Sequence, residues 1–269
     1  VNVALSGGFD SRLIVAGLLA TGVQPRLFVY GDPDSADVAI ARTVAGATGL
    51  ALDAIDKGVL NRSLPVLDLE SLGQSALFFD GLPSDGVDDP GADRRTRLQQ
   101  TADGCIALNG GGGEIFRNFF HLPDRAFTAR DIVTAFSRGF SRGVFRDRDG
   151  LANYEARLDG SIRNIMGMPE AGNERLTRAQ VELLYPLFRC HYWMGVNNSV
   201  AVRHGYYATP LVDWDLVRLA QRVPPSWKNA GALQSRLIPA LHPGIAAQPS
   251  AYGFCFNVGP DRKARLAEW

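Results

Sequence analysis

Residues that bind metals or form cross-links are scarce in this chain of 269 residues. It contains three cysteines and four histidines. Cys105, Cys190 and Cys255 are widely separated and form no CxxC pair, so neither a zinc knuckle nor a disulfide framework is expected. The histidines form no pair with the spacing of zinc ligands. We therefore expect reduced, structural thiols, as in a cytosolic protein.

The chain also lacks an excess of charge of either sign and any long apolar run. Lysine plus arginine and aspartate plus glutamate each number 28, so the formal net charge is zero and the pI is near 7.1. The net charge therefore provides no overall electrostatic attraction for nucleic acid or for an anionic membrane. No stretch approaches the roughly 20 apolar residues of a membrane helix, and no signal-peptide pattern is present. The sequence thus predicts a cytoplasmic protein that binds neither nucleic acid nor a membrane.

A glycine-rich turn near the start is the most informative motif. A β-branched run over residues 1–5 breaks into Ser6-Gly7-Gly8 and resumes as a helical pattern to residue 20. Adjacent glycines allow a tight turn whose N–H groups point at an anion at the start of a helix. Asp10 stands where a carboxylate could hold Mg²⁺ on phosphate oxygens. The simpler alternative is an ordinary strand-to-helix turn.

Strand and helix patterns alternate through the first half of the chain. Strands are predicted at 1–5, 26–30, 50–55 and 105–109, and helices at 11–20, 36–48 and 64–79. Residues 83–93, rich in Gly, Pro and Asp, are predicted as a surface loop, with a lid over the site as the alternative. The remainder is mostly helical, with candidate helices at 129–138, 151–166, 176–204, 214–222 and 232–241.

This alternation predicts an α/β fold with a parallel sheet and helices on both faces, followed by a mostly helical C-terminal half. The expected division is a nucleotide-binding region at 1–122 and a helical region at 123–269, with the ligand cleft at the carboxyl ends of the strands. Because Val1 is the first residue and already lies in a strand expected at the centre of the sheet, we also expect a domain cut from a longer chain with an upstream module.

Four segments in order resemble the synthetase domain of the asparagine synthetase family, which includes β-lactam synthetases and lasso-peptide cyclases. Residues 5–11, LSGGFDS, resemble the SGGxDS pyrophosphate loop of the ATP pyrophosphatases. Residues 28–49 are similar to the family's second strand and the helix behind it. Residues 108–116, LNGGGGEIF, resemble LSGEGxDExF, and residues 198–213 resemble the helix followed by RxPFLD. The resemblance covers nearly the whole chain.

The resemblance implies an adenine nucleotide alpha hydrolase-like fold and an ATP-dependent, AMP-forming amide ligase. Its implied ligands are ATP, Mg²⁺, a small-molecule or peptide carboxylate and an amine donor, with a glutaminase-like upstream domain as a further possibility. Asp10 and Glu114 are the implied Mg²⁺ ligands and catalytic carboxylates, although Glu114 could instead stabilise a helix N-terminus. The implied ATP-binding residues are Leu5, Ser6, Gly7, Gly8, Phe9, Asp10, Ser11, Val29, Tyr30, Gly110 and Gly111.

The chain departs from the family at three positions. Gly111 stands where the family has its general base, the glutamate of GEG, and the loop is one residue shorter. Residues 248–254 lack the lysine that stabilises pyrophosphate. Arg12 could compensate as a third catalytic residue by binding a phosphate oxygen, or it could be an exposed helix arginine. A degenerate module that binds ATP or AMP without turnover, in a regulatory or partner role, is therefore the alternative function.

Aromatic residues recur within the predicted helix 176–204. Tyr185, Phe188, Tyr192 and Trp193 follow helical spacing. That spacing favours packing in the core over a substrate-binding cage.

Overall fold

Five short strands form the centre of the molecule. The computed structural model describes residues 1–63, 69–81, 91–137 and 142–260. Within these ranges, the strands are β1 (Asn2–Ala4), β2 (Arg26–Tyr30), β3 (Leu52–Ile55), β4 (Ile106–Leu108) and β5 (Tyr206–Ala208). They form one all-parallel sheet in the order β3-β2-β1-β4-β5. The predicted α/β class, its parallel sheet and its helical C-terminal region are confirmed.

The register places the ends of neighbouring strands side by side. Ala4 of β1 pairs with Phe28 of β2, and Val3 pairs with Leu108 of β4. Because the strands are parallel, the loops that leave β1, β2 and β4 meet at one edge of the sheet. The two glycine-rich segments leave β1 and β4, so this register brings them together.

Helices connect and cover the strands in both halves of the chain. Their bounds are α1 (Phe9–Ala20), α2 (Ala36–Thr48), α3 (Lys57–Ser63), α4 (Leu69–Phe78), α5 (Ala92–Gln100), α6 (Ala129–Ser137), α7 (Arg148–Ile165), α8 (Arg178–Glu182), α9 (Gly195–Val202), α10 (Trp214–Ala220), α11 (Pro225–Lys228), α12 (Gln234–Leu241) and α13 (Pro243–Ala246). A π-helix, Tyr185–Met194, links α8 to α9. The predicted bounds of α2 are confirmed, because its two ends carry strong local signals. The Ser35 hydroxyl accepts a hydrogen bond from the Val38 N–H at 3.4 Å, and Gly49 ends the helix with a φ of +69°.

The main core lies between the sheet and the first two helices. Val3, Leu5, Leu27 and Val29 alternate along β1 and β2 and are buried in one cluster with residues of α1 and α2. A second, smaller core in the helical part joins Phe127 of the loop before α6 to residues of α8 and its surroundings. The two clusters leave the carboxyl edge of the sheet available for a site.

The C-terminal part of the chain returns to the sheet. β5 pairs with β4, α12 packs on α1, and α13 packs on α2. The predicted single helix 176–204 was wrong in detail, since α8, the π-helix and α9 occupy these residues, and β5 was not predicted. The boundary between residues 122 and 123 stays a prediction.

Two predicted features fall partly outside the described residues: positions 64–68 of the predicted helix 64–79, and positions 83–90 of the predicted loop or lid 83–93. Within the described residues, no helix is long and apolar enough to cross a membrane.

Candidate functional site

A cavity of about 350 Å³ lies at the carboxyl ends of β1, β2 and β4. This is the expected location of a ligand in an open parallel sheet. Nine residues predicted from the sequence line it: Leu5, Ser6, Asp10, Ser11, Val29, Tyr30, Gly110, Gly111 and Glu114. Ala4, Phe28 and Asp37 also contribute to its lining. The structure thus brings residues from three separate predicted segments to one place.

The two glycine-rich loops touch each other beside this cavity. A Cβ atom on Gly110 would lie 2.5 Å from the backbone nitrogen of Ser11. A Cβ atom on Gly113 would overlap the Asp10 carboxyl group. Neither contact leaves room for a side chain, so these glycines permit the close approach of the loops.

The Asp10 carboxylate is held from two sides. The Arg117 guanidinium donates a hydrogen bond to Asp10 Oδ2 at 2.7 Å, and the Gln234 amide donates one to Oδ1 at 2.7 Å. Arg117 Nη2 also lies 3.7 Å from Glu114 Oε1. The other oxygen, Glu114 Oε2, is buried and has no hydrogen-bond partner among the described residues. One guanidinium therefore bridges both predicted carboxylates.

The surroundings of Asp10 favour its neutral form. Burial raises the pKa of the Asp10 carboxyl to about 6, the positive charge of Arg117 opposes the rise, and the charge of Glu114 adds to it. Burial and the Glu114 charge likewise raise the pKa of the Cys190 thiol to about 11. The site is a partly desolvated pair of acids with one strong counter-charge.

Glu114 lies in the first turn of a short 3₁₀ segment, so the alternative of a carboxylate that stabilises a helix N-terminus stays open. The short 3₁₀ segment Gly113–Phe116 has no side-chain cap hydrogen bond. The Glu114 carboxylate lies 3.7 Å from Arg117 Nη2, and its negative charge adds to burial in raising the pKa of the nearby Tyr185 phenol. Glu114 therefore borders the cavity together with Asp10.

The first loop differs from the expected open cradle. Its N–H groups bond to side chains within the protein: Ser6 N–H to Ser11 Oγ at 3.0 Å, Gly7 N–H to Asp37 Oδ1 at 2.7 Å and Gly8 N–H to Ser6 Oγ at 3.3 Å. Gly7 and Gly8 do not line the cavity. The N-cap residue of α1, Gly8, has no side chain and therefore supplies no cap hydrogen bond to the first turn of the helix.

Arg12 does not lie where the sequence predicted it. Its guanidinium is fully buried and donates to the carbonyl oxygens of Gln248 at 3.0 Å and Pro249 at 2.7 Å. It also stacks over the Phe256 ring at 4.8 Å. Arg12 thus joins α1 to the C-terminal segment. The alternative of an exposed helix arginine was wrong, and the phosphate-binding role stays a prediction that this placement does not favour.

Phe9 is also placed differently from the prediction. Its ring stacks between Tyr252, at 4.4 Å between centroids, and Phe256, at 4.5 Å. The Ala251 N–H donates to the Gly7 carbonyl at 3.0 Å in the same region. The Phe9 side chain therefore supports the loop from behind and does not line the cavity.

Three charged or polar residues of the site were not predicted as site residues: Arg117, Gln234 and Asp37. Arg117 follows Glu114 by three positions in one helical turn, so the charge pair was visible in the sequence. Gln234 lies 224 residues from Asp10 and carried no local signal.

The two carboxylates fit a Mg²⁺ ion only in part. Among the described residues, no cluster of three or more His, Cys, Asp or Glu side chains could hold a metal. Mg²⁺ at nucleotide sites commonly uses one or two carboxylates together with phosphate oxygens. The unpartnered Glu114 Oε2 and the nearby Asp10 match that arrangement, provided that Arg117 releases Asp10.

No protein-family model matches this chain, and no curated protein sequence does so either. The resemblance to the asparagine synthetase family therefore stays a prediction.

Proposed function

We propose that the protein is an ATP-dependent ligase of the asparagine synthetase type, which activates a carboxylate as its acyl-adenylate. The observation that carries the proposal is the contact between the two glycine-rich loops, which leaves Asp10 and Glu114 bordering one cavity at the carboxyl edge of the sheet. The finer fold that goes with it is the adenine nucleotide alpha hydrolase-like one, with helices on both faces of the sheet.

The proposed reaction has two steps. A carboxylate oxygen of the acid attacks the α-phosphorus of ATP, the bond from that phosphorus to the α,β-bridging oxygen breaks, and pyrophosphate leaves with the electron pair. An amine then attacks the acyl carbon, the bond from that carbon to the AMP oxygen breaks, and AMP leaves with the electron pair. The proton of the amine passes to solvent water, since Gly111 stands where the family has its general base. Because the two carboxylates are partly buried, they would attract a Mg²⁺ ion more strongly than they would in water, and that ion would offset the charge of the phosphates.

The residues divide the work of binding ATP. The start of α1 has no side-chain cap and offers its N–H groups and helix dipole to a phosphate. Val29 and Tyr30, at the end of β2, are available to the adenine side of the cavity. Asp10 and Glu114 would hold Mg²⁺, which supplies positive charge to the phosphate oxygens.

Arg117 provides the cation that residues 248–254 lack. Its guanidinium lies 2.7 Å from Asp10, and its Nη1 lies 3.5 Å from the Tyr252 hydroxyl in that same stretch. A cation placed there is available to the pyrophosphate. Such preorganised charge is worth on the order of a hundredfold in rate.

The proposal is tested by incubating the protein with ATP, Mg²⁺ and a panel of carboxylic acids, and by following AMP and pyrophosphate with ³¹P NMR. We expect both products in equal amounts with at least one acid. Asp10→Asn should abolish them, whereas Asp53→Asn, which removes an exposed partner of Arg26, should not. Bound ATP without AMP or pyrophosphate for any acid would contradict the proposal.

A second candidate is a module that binds ATP or AMP without turnover. It is favoured by Gly111 in place of the family's glutamate and by the two hydrogen bonds that already occupy the Asp10 carboxylate. Calorimetry distinguishes the two: this candidate predicts tight ATP binding with no release of pyrophosphate. No nucleotide binding at all would remove both.

A further inference from the structure

A second cavity, of about 310 Å³, lies in the helical part between α6, α7 and the π-helix. Its described lining is mostly apolar and aromatic and includes Phe119, Tyr154, Ile162, Ile165 and Phe188. An apolar cavity of about 150 Å³ suffices for benzene. This one therefore has room for an aromatic ring with a short chain, of roughly a dozen non-hydrogen atoms.

Arg189 contributes a positive charge to this apolar lining. Its guanidinium lies 5.6 Å from the centre of the Phe119 ring and 4.6 Å from that of Trp193. No described carboxylate forms an ion pair with it. A cation among aromatic rings, without an acidic partner in the described part of the chain, complements an anionic ligand.

Tyr185 joins this cavity to the candidate nucleotide site. It lines the cavity, and its ring packs against Phe119 at 4.6 Å between centroids. Its phenol lies between Arg189, which shares this lining, and Glu114, whose negative charge acts on it. Glu114 borders the first cavity. The two cavities therefore adjoin at Tyr185.

The aromatic residues of the π-helix are exposed, contrary to the core packing that their spacing favoured. Phe188 is 46% exposed, Tyr192 61% and Trp193 50%, and only Tyr185 is buried. π-helical segments are rare in proteins, and those that occur are often found at functional sites. These side chains and Arg189 form one accessible face beside the cavity.

We propose that this cavity binds an apolar carboxylic acid, with its ring among the side chains of α7 and the π-helix and its carboxylate at Arg189. The chemistry of the lining selects the ligand: the apolar walls favour a hydrocarbon body, and the lone guanidinium favours one negative charge. The binding of this acid does not depend on the proposed function. Its further role as the acid that is adenylated does rest on that function.

Calorimetric titration of the protein with 3-phenylpropanoate, without ATP or Mg²⁺, tests the site. The neutral analogue 3-phenylpropanamide has the same shape and should bind on the order of tenfold more weakly or worse, since it lacks the charge that Arg189 pairs with. Acetate, which has the charge without the ring, should not bind measurably. Equal affinity for the acid and the amide would overturn the proposal.

Substitutions in the cavity lining test whether the acid binds at this place. Arg189→Gln should remove the preference for the acid over the amide. Arg236→Gln is the matched control, because Arg236 is also exposed and stacks on a tryptophan, Trp227, at 4.3 Å. Ser161→Trp should weaken both ligands, since Ser161 is exposed at the cavity lining and a large side chain there fills the space without removing core packing. Retained binding in both Ser161→Trp and Arg189→Gln would overturn the location.

Two outcomes separate this site from the proposed reaction. Acid binding that depends on Arg189, without AMP formation, would support the site and count against the ligase. AMP formation with other acids, but no binding of 3-phenylpropanoate, would support the ligase and overturn the proposed site. Self-association that buries the aromatic face and blocks the acid would assign that face to a second copy of the chain and overturn the proposal.

Discussion

Arg117 and Asp10 form an ion pair at 2.7 Å across the two glycine-rich loops. Asp10 lies in the first turn of α1, directly after the loop that leaves β1, and Arg117 follows the loop that leaves β4, so this pair links the two sides of the cavity. The pair is mostly shielded from water, with 24% of the Arg117 side chain and 15% of the Asp10 side chain exposed. It sets the charge state of the residue on which the proposed reaction depends most.

Arg117→Ala should raise the pKa of Asp10 above its value of about 6, because the charge and hydrogen bond of Arg117 lower that pKa. A neighbouring arginine typically lowers the pKa of an aspartate by roughly one to three units, so a comparable rise is expected. Titration of the Asp10 carboxyl carbon by ¹³C NMR measures it. Arg125→Ala, which removes a cation from the exposed carboxylate of Asp131, should leave Asp10 unchanged. An unchanged Asp10 in Arg117→Ala would show that the ion pair does not persist in solution.

Stability should depend on the ionisation of Asp10. The pKa is about 6 in the folded protein against an ordinary value of 3.8, so the folded state holds the proton more tightly than the unfolded chain. The contribution of Asp10 to stability is thus greatest below about pH 4 and is lost as the pH rises through about 6. The difference corresponds to on the order of 3 kcal/mol.

Asp10→Asn isolates this dependence. Urea unfolding of both proteins from pH 4 to 7.5 should show the free energy of unfolding of the variant rising relative to wild type by that amount. The ion pair with Arg117 varies with the charge of Asp10 and is already included in its pKa of about 6, so only the effects of the substitution that do not depend on pH cancel from the change. Asp53→Asn serves as the control at an exposed aspartate. A difference that does not vary with pH would contradict the raised pKa.

Local signals explain what the sequence predicted correctly. Ser35 and Gly49 bound α2 because a cap and a left-handed glycine act within one turn of the helix. The two glycine-rich loops were recognisable because each is a continuous segment after an apolar strand. Their meeting followed from the general rule that parallel strands present their carboxyl ends at one edge.

Long-range contacts explain which features of the structure could not be predicted from the sequence. Arg12 donates hydrogen bonds to carbonyl oxygens 236 and 237 residues away, and nothing in the sequence of its own helix indicates these partners. β5 has three residues and pairs with β4 only after the chain has passed through the helical part. Helical spacing favoured core packing for the aromatic residues of the π-helix, but most of them are exposed. Spacing shows which residues share a face of a helix, and it does not show whether the rest of the fold covers that face.

Gly113→Ala should damage the site, because its Cβ would overlap the Asp10 carboxyl group. We expect a loss of about 1–3 kcal/mol in stability, as for other over-packed positions, together with weaker ATP binding. Gly17→Ala is the matched control, since no atom lies within 4 Å of the added Cβ in α1. It should stabilise the protein by roughly 0.5–1 kcal/mol. Denaturant unfolding and calorimetry measure both effects, and normal ATP affinity in Gly113→Ala would contradict the close approach of the loops.

Arg12→Met distinguishes a structural arginine from a phosphate-binding one. The substitution removes the donors to the carbonyls of Gln248 and Pro249, so we expect destabilisation on the order of 2–4 kcal/mol. Arg95→Met, at an exposed position of α5, should stay within about 0.5 kcal/mol of wild type. Because Arg12 lies outside the cavity, the affinity for ATP of folded Arg12→Met should equal that of wild type when calorimetry is done well below its melting temperature. Unchanged stability with a tenfold loss of ATP affinity would instead return Arg12 to the phosphate site.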